Sequence, residues 1–271
     1  ATMPDPALER CSSCFFPTEF HEVPLVSIKA INHDTKVFTF GLPEGASLDL
    51  PVCACLLLRG YDDKGEPVIR PYTPISSNDI KGSFSLCVKV YEKGTVTQWL
   101  DKLQPGAMVG FKHIPFNIKA QYPFAGKTKL NMICGGTGIT PMYQALYKIA
   151  FTPGDSLQAV ALIGNRTPAD ILLRGELEEV AKQSGGRVKI VHVVGTKPDQ
   201  EPIPGWEGEL GWVDEDKIKK FCFPPAPDVL TMVCGVPGLY EIMCGPRTEP
   251  EVKAGTVLDK LGYTSQMMSK M

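Results

Sequence analysis

The sequence predicts two domains, a small antiparallel β-barrel followed by an α/β domain with a doubly wound parallel sheet. Three observations carry that expectation. From about Val23 to about Phe124, short segments alternate apolar and polar residues with period 2, separated by turn-rich stretches, the pattern of half-buried antiparallel strands. After Tyr122-Pro123-Phe124-Ala125-Gly126 the period changes, and widely spaced apolar runs alternate with helical patterns, as in a parallel sheet with crossover helices. Between the first of those runs and the first helix stands a glycine-rich turn, Gly135-Gly136-Thr137-Gly138-Ile139-Thr140-Pro141.

At 271 residues the chain is long enough for two hydrophobic cores. The expected division is an N-terminal segment 1–20, the barrel 21–125 and the α/β domain 126–271. In the barrel, Phe84, Leu86, Val88 and Val90 share one strand face while Cys87, Lys89 and Tyr91 share the other. Gly60 to Gly65 and Asn78 to Gly82 are turn-rich connectors. Gly94-Thr95-Val96-Thr97-Gln98-Trp99-Leu100 reads as a turn into a short helix, with Thr97 as its N-cap. In the second domain, strands are expected at Leu130–Cys134, Val160–Ile163, Val188–Val194 and Val229–Cys234. Met142, Ala145, Leu146 and Ile149 mark one helix face; Leu173, Leu177, Val180 and Ala181 mark a second, closed by Gly185-Gly186. Phe223-Pro224-Pro225-Ala226-Pro227 is a connector.

A formal net charge of -2 argues against general attraction to nucleic acid or membrane surfaces. No run approaches the roughly 18 apolar residues of a membrane span, and the N-terminus lacks a secretory signal. The nine cysteines are odd in number and sit mostly in apolar strands, such as Leu86-Cys87-Val88 and Met132-Ile133-Cys134. They read as buried, reduced thiols in a cytoplasmic compartment. Cys11-Ser12-Ser13-Cys14 has metal or redox spacing, but no matching second pair follows, so no metal site is expected.

Four further strings carry chemistry. Arg70-Pro71-Tyr72-Thr73-Pro74-Ile75-Ser76-Ser77 puts a guanidinium, an aromatic ring and hydroxyls at one strand end. Such a set suits a flavin dinucleotide, which needs a cation for its pyrophosphate and a surface for its ring; it also suits a plain barrel edge. Cys87-Val88-Lys89-Val90-Tyr91 offers a lysine on a polar face, as any solvated strand would. The turn Gly94 to Thr97 opens a helix whose free N–H groups can take a phosphate. Cys234-Gly235-Val236-Pro237-Gly238-Leu239 ends the last strand expected. In the glycine-rich turn, Pro141 stands where a G-x-G-x-x-G fingerprint has its third glycine, so the turn is of another kind.

These strings together resemble the signatures of the ferredoxin–NADP reductase superfamily. Within it the resemblance is to the NADH–cytochrome b5 reductase family and the similar flavin fragment of nitrate reductase. It implies an FAD-binding barrel, a nicotinamide domain, and hydride transfer from NADH, with NADPH as a possible donor. Electrons then pass singly to a haem protein, with cytochrome b5 expected. On this resemblance Arg70, Pro71, Tyr72 and Thr73 contact FAD, the backbone of Cys87 to Tyr91 meets the isoalloxazine, and Gly94, Thr95, Val96 and Thr97 hold the pyrophosphate. Gly136, Thr137, Thr140 and Pro141 support the nicotinamide nucleotide, with Gly235, Val236 and Pro237 covering it. Thr73, Lys89 and Cys234 are the catalytic candidates.

Departures from the family pattern bear on these roles. Val236 and Leu239 replace a proline and a methionine, and Cys53-Ala54-Cys55 stands where the family has Gly-Gln-His. After Ile190–Val194, Gly195-Thr196-Lys197 lacks the aspartate with which NADH-preferring members repel a 2′-phosphate. Lys112, Lys119, Lys127 and Lys129 flank the linker and suit an acidic haem protein. The expected molecule is a monomer without a nucleic-acid partner. It is placed in the cytoplasm, or on the cytosolic face of a membrane if an N-terminal anchor precedes it. The alternatives are a reductase of the same build serving another acceptor and a non-catalytic flavin or nucleotide sensor.

Overall fold

The computed structural model describes residues 14–115, 120–195, 203 and 205–271. The chain divides into two compact units, one ending at Tyr122 and the next starting at Pro123. Cys11, Lys119, Thr196 and Lys197, singled out above, lie outside the described residues.

The first unit holds β1 (His21–Ala30), β2 (Thr35–Gly41), β3 (Leu56–Tyr61), β4 (Pro67–Tyr72), β5 (Ser83–Lys89), α1 (Thr95–Asp101) and β6 (Met108–His113). The strands pair antiparallel in the order β4-β3-β6-β1-β2-β5. Beyond β4 the chain crosses to the far end of that order. There the Ile75 N–H donates to the Ser85 carbonyl at 2.8 Å, and the Ser85 N–H donates to Ser76 Oγ at 3.1 Å. That crossing closes the sheet into a barrel. Its interior is aromatic: Phe16, Phe40, Phe84 and Phe111 are wholly buried, with Phe40 and Phe111 centroids 4.8 Å apart. Each such ring stabilises the fold by about 2–3 kcal/mol through burial.

Phe84, Leu86 and Val88 point into this core, as the period-2 pattern predicts. The other face of β5 is not simply wet, however. Cys87 is buried as well, and the strand ends at Lys89, leaving Val90 and Tyr91 beyond it. The expected N-cap also shifts. Helix α1 begins at Thr95 with Gly94 as N-cap, and Thr97 lies in its first turn.

The second unit is a six-stranded parallel sheet in the order β10-β9-β8-β7-β11-β12. Its strands are β7 (Lys129–Gly135), β8 (Gln158–Asn165), β9 (Val188–Val194), β10 (Glu209–Leu210), β11 (Val229–Cys234) and β12 (Met268–Lys270). The longer helices are α2 (Ile139–Phe151) and α3 (Arg174–Gln183), followed by α4 (Glu215–Phe221), α5 (Pro237–Met243) and α6 (Val257–Lys260). Met142, Ala145, Leu146 and Ile149 are the fully buried stripe of α2. In α3 the stripe is Leu177 and Val180, while Leu173 is the N-cap, in left-handed backbone with φ 54°. Gly185 and Gly186, at φ 63° and 87°, end that helix as glycines do. Helix α4 starts at Asp214, whose side chain accepts from the Lys217 N–H at 2.9 Å.

A buried asparagine ties the sheet to the segment that leads into β11. Asn131 Nδ2 donates to the Phe223 carbonyl at 2.9 Å, and its Oδ1 accepts from the Phe223 N–H at 2.9 Å. From β7 the sheet grows one way through β8 and β9 and the other way through β11. The strand order therefore reverses between β7 and β11, and the crevice at the carboxyl ends of such a pair is where open α/β sheets bind ligands. Among the described residues, no helix is long and apolar enough to cross a membrane.

Candidate functional site

In the first unit, the candidate residues gather at the ends of β4 and β5 and at the start of α1, which packs on β3 and β4. Arg70 and Pro71 are exposed, and the Arg70 guanidinium donates to the Ile69 carbonyl at 2.8 Å. Among the described residues no carboxylate pairs with it, so its charge remains available for an anion. Tyr72 lies opposite Leu56, its ring against the barrel core. Burial pushes its hydroxyl up to about 12, against the pull of Arg70. Thr73 is half-buried and Pro74 buried as the chain leaves the strand.

Lys89 is held by a carboxylate. Its ammonium pairs with Asp34 at 2.5 Å in a partly shielded site. Burial pushes the Asp34 carboxyl up, but hydrogen bonds from Lys89 and Thr35 outweigh it and hold the group below its ordinary value of 3.8. Tyr91 is exposed at the surface.

The turn into α1 is built on one hydroxyl. Thr97 Oγ1 accepts from the Tyr91 N–H and donates to the Gly94 carbonyl, both at 3.2 Å. A Cβ at Gly94 would lie 2.3 Å from that oxygen, so the first turn of α1 has room only for glycine there. No side chain caps the helix; the Gly94 N–H donates to the Tyr91 carbonyl at 2.9 Å, Val96 is buried, and Thr95 is exposed at the start of the first turn. Cys53 has a φ of 68°, a conformation natural to the glycine that the family pattern carries at this position.

In the second unit, two loops meet at the strand-order reversal. Cys134 and Cys234 are register partners at the carboxyl ends of β7 and β11. After β7, Gly136 takes φ 53°, with nothing within 4 Å of where a Cβ would be. This is an open cradle of backbone. Gly138 is the opposite case, since a Cβ there would sit 2.2 Å from the Cys234 carbonyl oxygen. Thr140 Oγ1 donates to the Thr137 carbonyl at 3.1 Å, and Pro141 is buried in the first turn of α2. In the facing loop Val236 and Pro237 are exposed, and Gly235 packs so close to Leu239 that a Cβ would lie 2.7 Å from it. Burial, and then Cys234 beside it, hold the Cys134 thiol well above its ordinary value.

Three residues that the motifs did not mark belong to this picture. Asp34 holds Lys89, and Asn165 ends β8 with a buried Nδ2 that has no partner among the described residues. Tyr240, six positions after Cys234, is buried, and its hydroxyl donates to the Met271 main-chain oxygen at 2.6 Å. Only Tyr240 carried a signal, an aromatic on the inner face of the helix after the cysteine. Among the linker lysines, the Lys127 ammonium donates to the Pro227 and Val229 carbonyls at 2.8 and 3.3 Å, while Lys129 lies 3.9 Å from Asp228.

The residues present fit two dinucleotides. A surface guanidinium with no carboxylate partner among the described residues, an aromatic ring and the turn into α1 suit FAD in the first unit. An open glycine cradle at a strand-order reversal suits a nicotinamide nucleotide in the second. Comparison with known proteins agrees. Residues 22–114 match the oxidoreductase FAD-binding domain family, and residues 132–245 the oxidoreductase NAD-binding domain family.

An NADH-cytochrome b5 reductase-like protein of Arabidopsis thaliana is 36% identical, over 94% of this chain and 77% of that protein. NADH-cytochrome b5 reductase 1 of Bos taurus is 35% identical, over 93% and 85%. Among solved structures, the cytochrome b5 reductase domain of Ulva prolifera nitrate reductase superposes with a TM-score of 0.80 at 31% identity, over 94% of this chain and 98% of that one. A Neisseria gonorrhoeae ferredoxin NADP+ reductase with bound FAD and NADP shares the fold, with a TM-score of 0.68 at 16% identity over 93% and 98%. The chain thus belongs to the NADH–cytochrome b5 reductase family and is an FAD- and NAD-binding oxidoreductase.

Proposed function

We propose that the protein takes hydride from NADH onto FAD and passes electrons one at a time to cytochrome b5 or a similar small haem protein. The observation that carries this reading is the convergence of the Gly135–Pro141 and Cys234–Pro237 loops at the β7–β11 reversal, in a chain whose other unit presents Arg70 and the α1 turn. FAD, once bound, supplies the step from two-electron to one-electron chemistry. The chain supplies binding and orientation.

Arg70 clamps the FAD pyrophosphate together with the backbone of Gly94, Thr95, Val96 and Thr97. Tyr72 and Pro71 form a surface for the flavin, the Thr73 hydroxyl offers it a hydrogen bond, and the backbone of Cys87 and Tyr91 lines it. On the nucleotide side, Gly136, Thr137, Thr140 and Pro141 support NADH, with Gly235, Val236 and Pro237 covering it and Cys234 beside the nicotinamide. Lys89 acts in the same site through its pairing with Asp34, which fixes where its charge lies.

NADH is the preferred donor and NADPH a weaker one, because Gly195 stands where an aspartate would repel a 2′-phosphate, while the described part of the loop after β9 offers no arginine to bind one. Gly195 donates its N–H to the Asn165 carbonyl at 2.8 Å, and a Cβ on it would meet only ordinary contacts, the nearest at 3.5 Å. Gly195→Asp therefore tests the donor site directly. It should lower the rate of flavin bleaching by NADPH while leaving bleaching by NADH intact. Equal losses with both donors would place the ribose elsewhere.

The similarity to the nitrate reductase domain supports one other reading, a reductase of the same build with a different acceptor. Comparing rates with cytochrome b5 and with other haem acceptors separates the two.

A further inference from the structure

Helix α2 carries two apolar stripes, and the sheet uses one of them. Met142, Ala145, Leu146 and Ile149 are wholly buried. Tyr143, Tyr147 and Phe151 recur at intervals of four along a second stripe, one position further round the helix, which opens to solvent. Phe151 is 43% exposed, and the two tyrosines are half-buried. The rings pack on one another along the helix, with centroids 6.2 Å apart for Tyr143 and Tyr147 and 4.5 Å apart for Tyr147 and Phe151. They form the floor of an open groove of about 410 Å³, whose facing wall is the start of α3 at Gly175, Glu176 and Glu179. Gly175 has nothing within 4 Å of where a Cβ would be, which leaves that end of the wall open.

The charges along α3 are divided unevenly. Glu178, which does not line the groove, pairs with Arg174 at 3.0 Å. The two glutamates that do line it have no cationic partner among the described residues, and Glu179 accepts from the neutral Gln183 amide at 2.6 Å. No lysine or arginine lines the groove. The Tyr143 hydroxyl, pushed up to about 12 by burial and then by Glu176, sits in the same negative field. Such a groove repels anions, and aromatic rings are poor ligands for a small, strongly hydrated metal ion. It suits a bulky cation that gives up its weak hydration to aromatic faces.

We propose that the α2–α3 groove binds a small organic cation of the quaternary-ammonium or alkylammonium class, with its charge between the Tyr143 and Tyr147 rings and the Glu176 and Glu179 carboxylates. Helix formation accounts for Glu176, since an acid in the first turn of a helix is favourable whatever it faces. It does not account for Glu179, nearly one turn further on. Packing on the sheet does not account for the rings, because the buried stripe of α2 is complete without them.

Choline tests this, beside the neutral analogue in which carbon replaces its nitrogen. The FAD-loaded protein, isotope-labelled on its tyrosine rings, is titrated with each and followed by NMR. Tyr143→Leu and Tyr147→Leu assign the two signals. Choline should shift both signals saturably, and the neutral analogue should bind about tenfold more weakly. The double variant Glu176→Gln, Glu179→Gln keeps the side-chain size. It should weaken choline binding by a similar factor, while FAD content and flavin reduction by NADH stay as in wild type. The absence of a saturable shift with choline overturns the proposal. Equal affinity for the neutral analogue, or undiminished affinity in the double variant, overturns it too, since the groove would then be merely apolar. Shifts produced by phosphatidylcholine vesicles but not by free choline would assign the groove to a membrane surface. Shifts that grow with protein concentration alone would assign it to a second copy of the chain, and either result contradicts the proposal.

Discussion

Gly138 lies so close to Cys234 that a methyl group on it would stand 2.2 Å from the carbonyl oxygen of the cysteine. The contact joins the loop after β7 to the end of β11 and sets the spacing of the two loops at the candidate nicotinamide site. Gly138 has φ -61° and ψ -10°, which any residue adopts, so its backbone conformation does not require glycine. Space does.

Gly138→Ala isolates that contact. By propensity alone the substitution would stabilise the start of α2. Forced against main-chain atoms, it should instead destabilise the α/β unit by about 1–3 kcal/mol, measured by urea unfolding. Flavin absorbance should survive while bleaching by NADH slows sharply. A stability equal to or above wild type would mean that the loops can part at no cost.

Gly94 and Thr97 form a second close pair, read by a double-mutant cycle. Gly94→Ala meets Thr97 Oγ1 at 2.3 Å, and Thr97→Ala removes two hydrogen bonds worth about 1 kcal/mol each. With the hydroxyl gone, the added methyl has room. The double variant should therefore be less destabilised than the sum of the single ones, and simple additivity would contradict the contact.

The pairing of Lys89 with Asp34 predicts a pH dependence. The folded Asp34 carboxyl is a stronger acid than the unfolded one. Its pairing therefore stabilises the fold above the ordinary value of 3.8, and that contribution is lost as pH falls through the lowered value. Asp34→Asn should be less stable than wild type at neutral pH, and the difference should shrink as the pH drops below 3.8. A difference that stays constant in acid would show that the carboxylate charge contributes nothing.

Arg70→Ala tests the proposed phosphate clamp. Loss of a charged hydrogen-bonding contact should weaken FAD binding by about 1.5–3 kcal/mol, read as loss of yellow colour on dialysis. Enzyme kept saturated with FAD should still be reduced by NADH. Full retention of flavin after dialysis would remove Arg70 from the pyrophosphate.

Where apolar periodicity ran strong, the fold was legible. Phe84, Leu86 and Val88 on one strand and Met142, Ala145, Leu146 and Ile149 on one helix are almost fully buried, because burial of one face is what the repeat encodes. Short polar elements were not. Helix α4 has only Ile218 buried and is announced mainly by Asp214, and β12 is three residues held by pairing to β11. Thr97 looked like an N-cap because threonine commonly is one; here its hydroxyl turns back to Tyr91 and Gly94 instead. Leu173 carried the helical spacing yet stands outside α3 in left-handed backbone. At the site, motif strings placed the glycine turns and Cys234 at facing strand ends. Asp34, far from Lys89 in sequence, and Tyr240, whose hydroxyl matters only once Met271 lies beside it, are relations that tertiary structure alone supplies.

The central claim is electron transfer from NADH through FAD to a haem protein, and stopped-flow spectroscopy tests it in one experiment. The FAD-loaded protein is mixed first with NADH and then with oxidised cytochrome b5. Rapid bleaching of the flavin by NADH, followed by its reoxidation as two equivalents of cytochrome b5 are reduced, is the predicted result. Flavin that NADH does not bleach, or that stays reduced when cytochrome b5 is added, would contradict it.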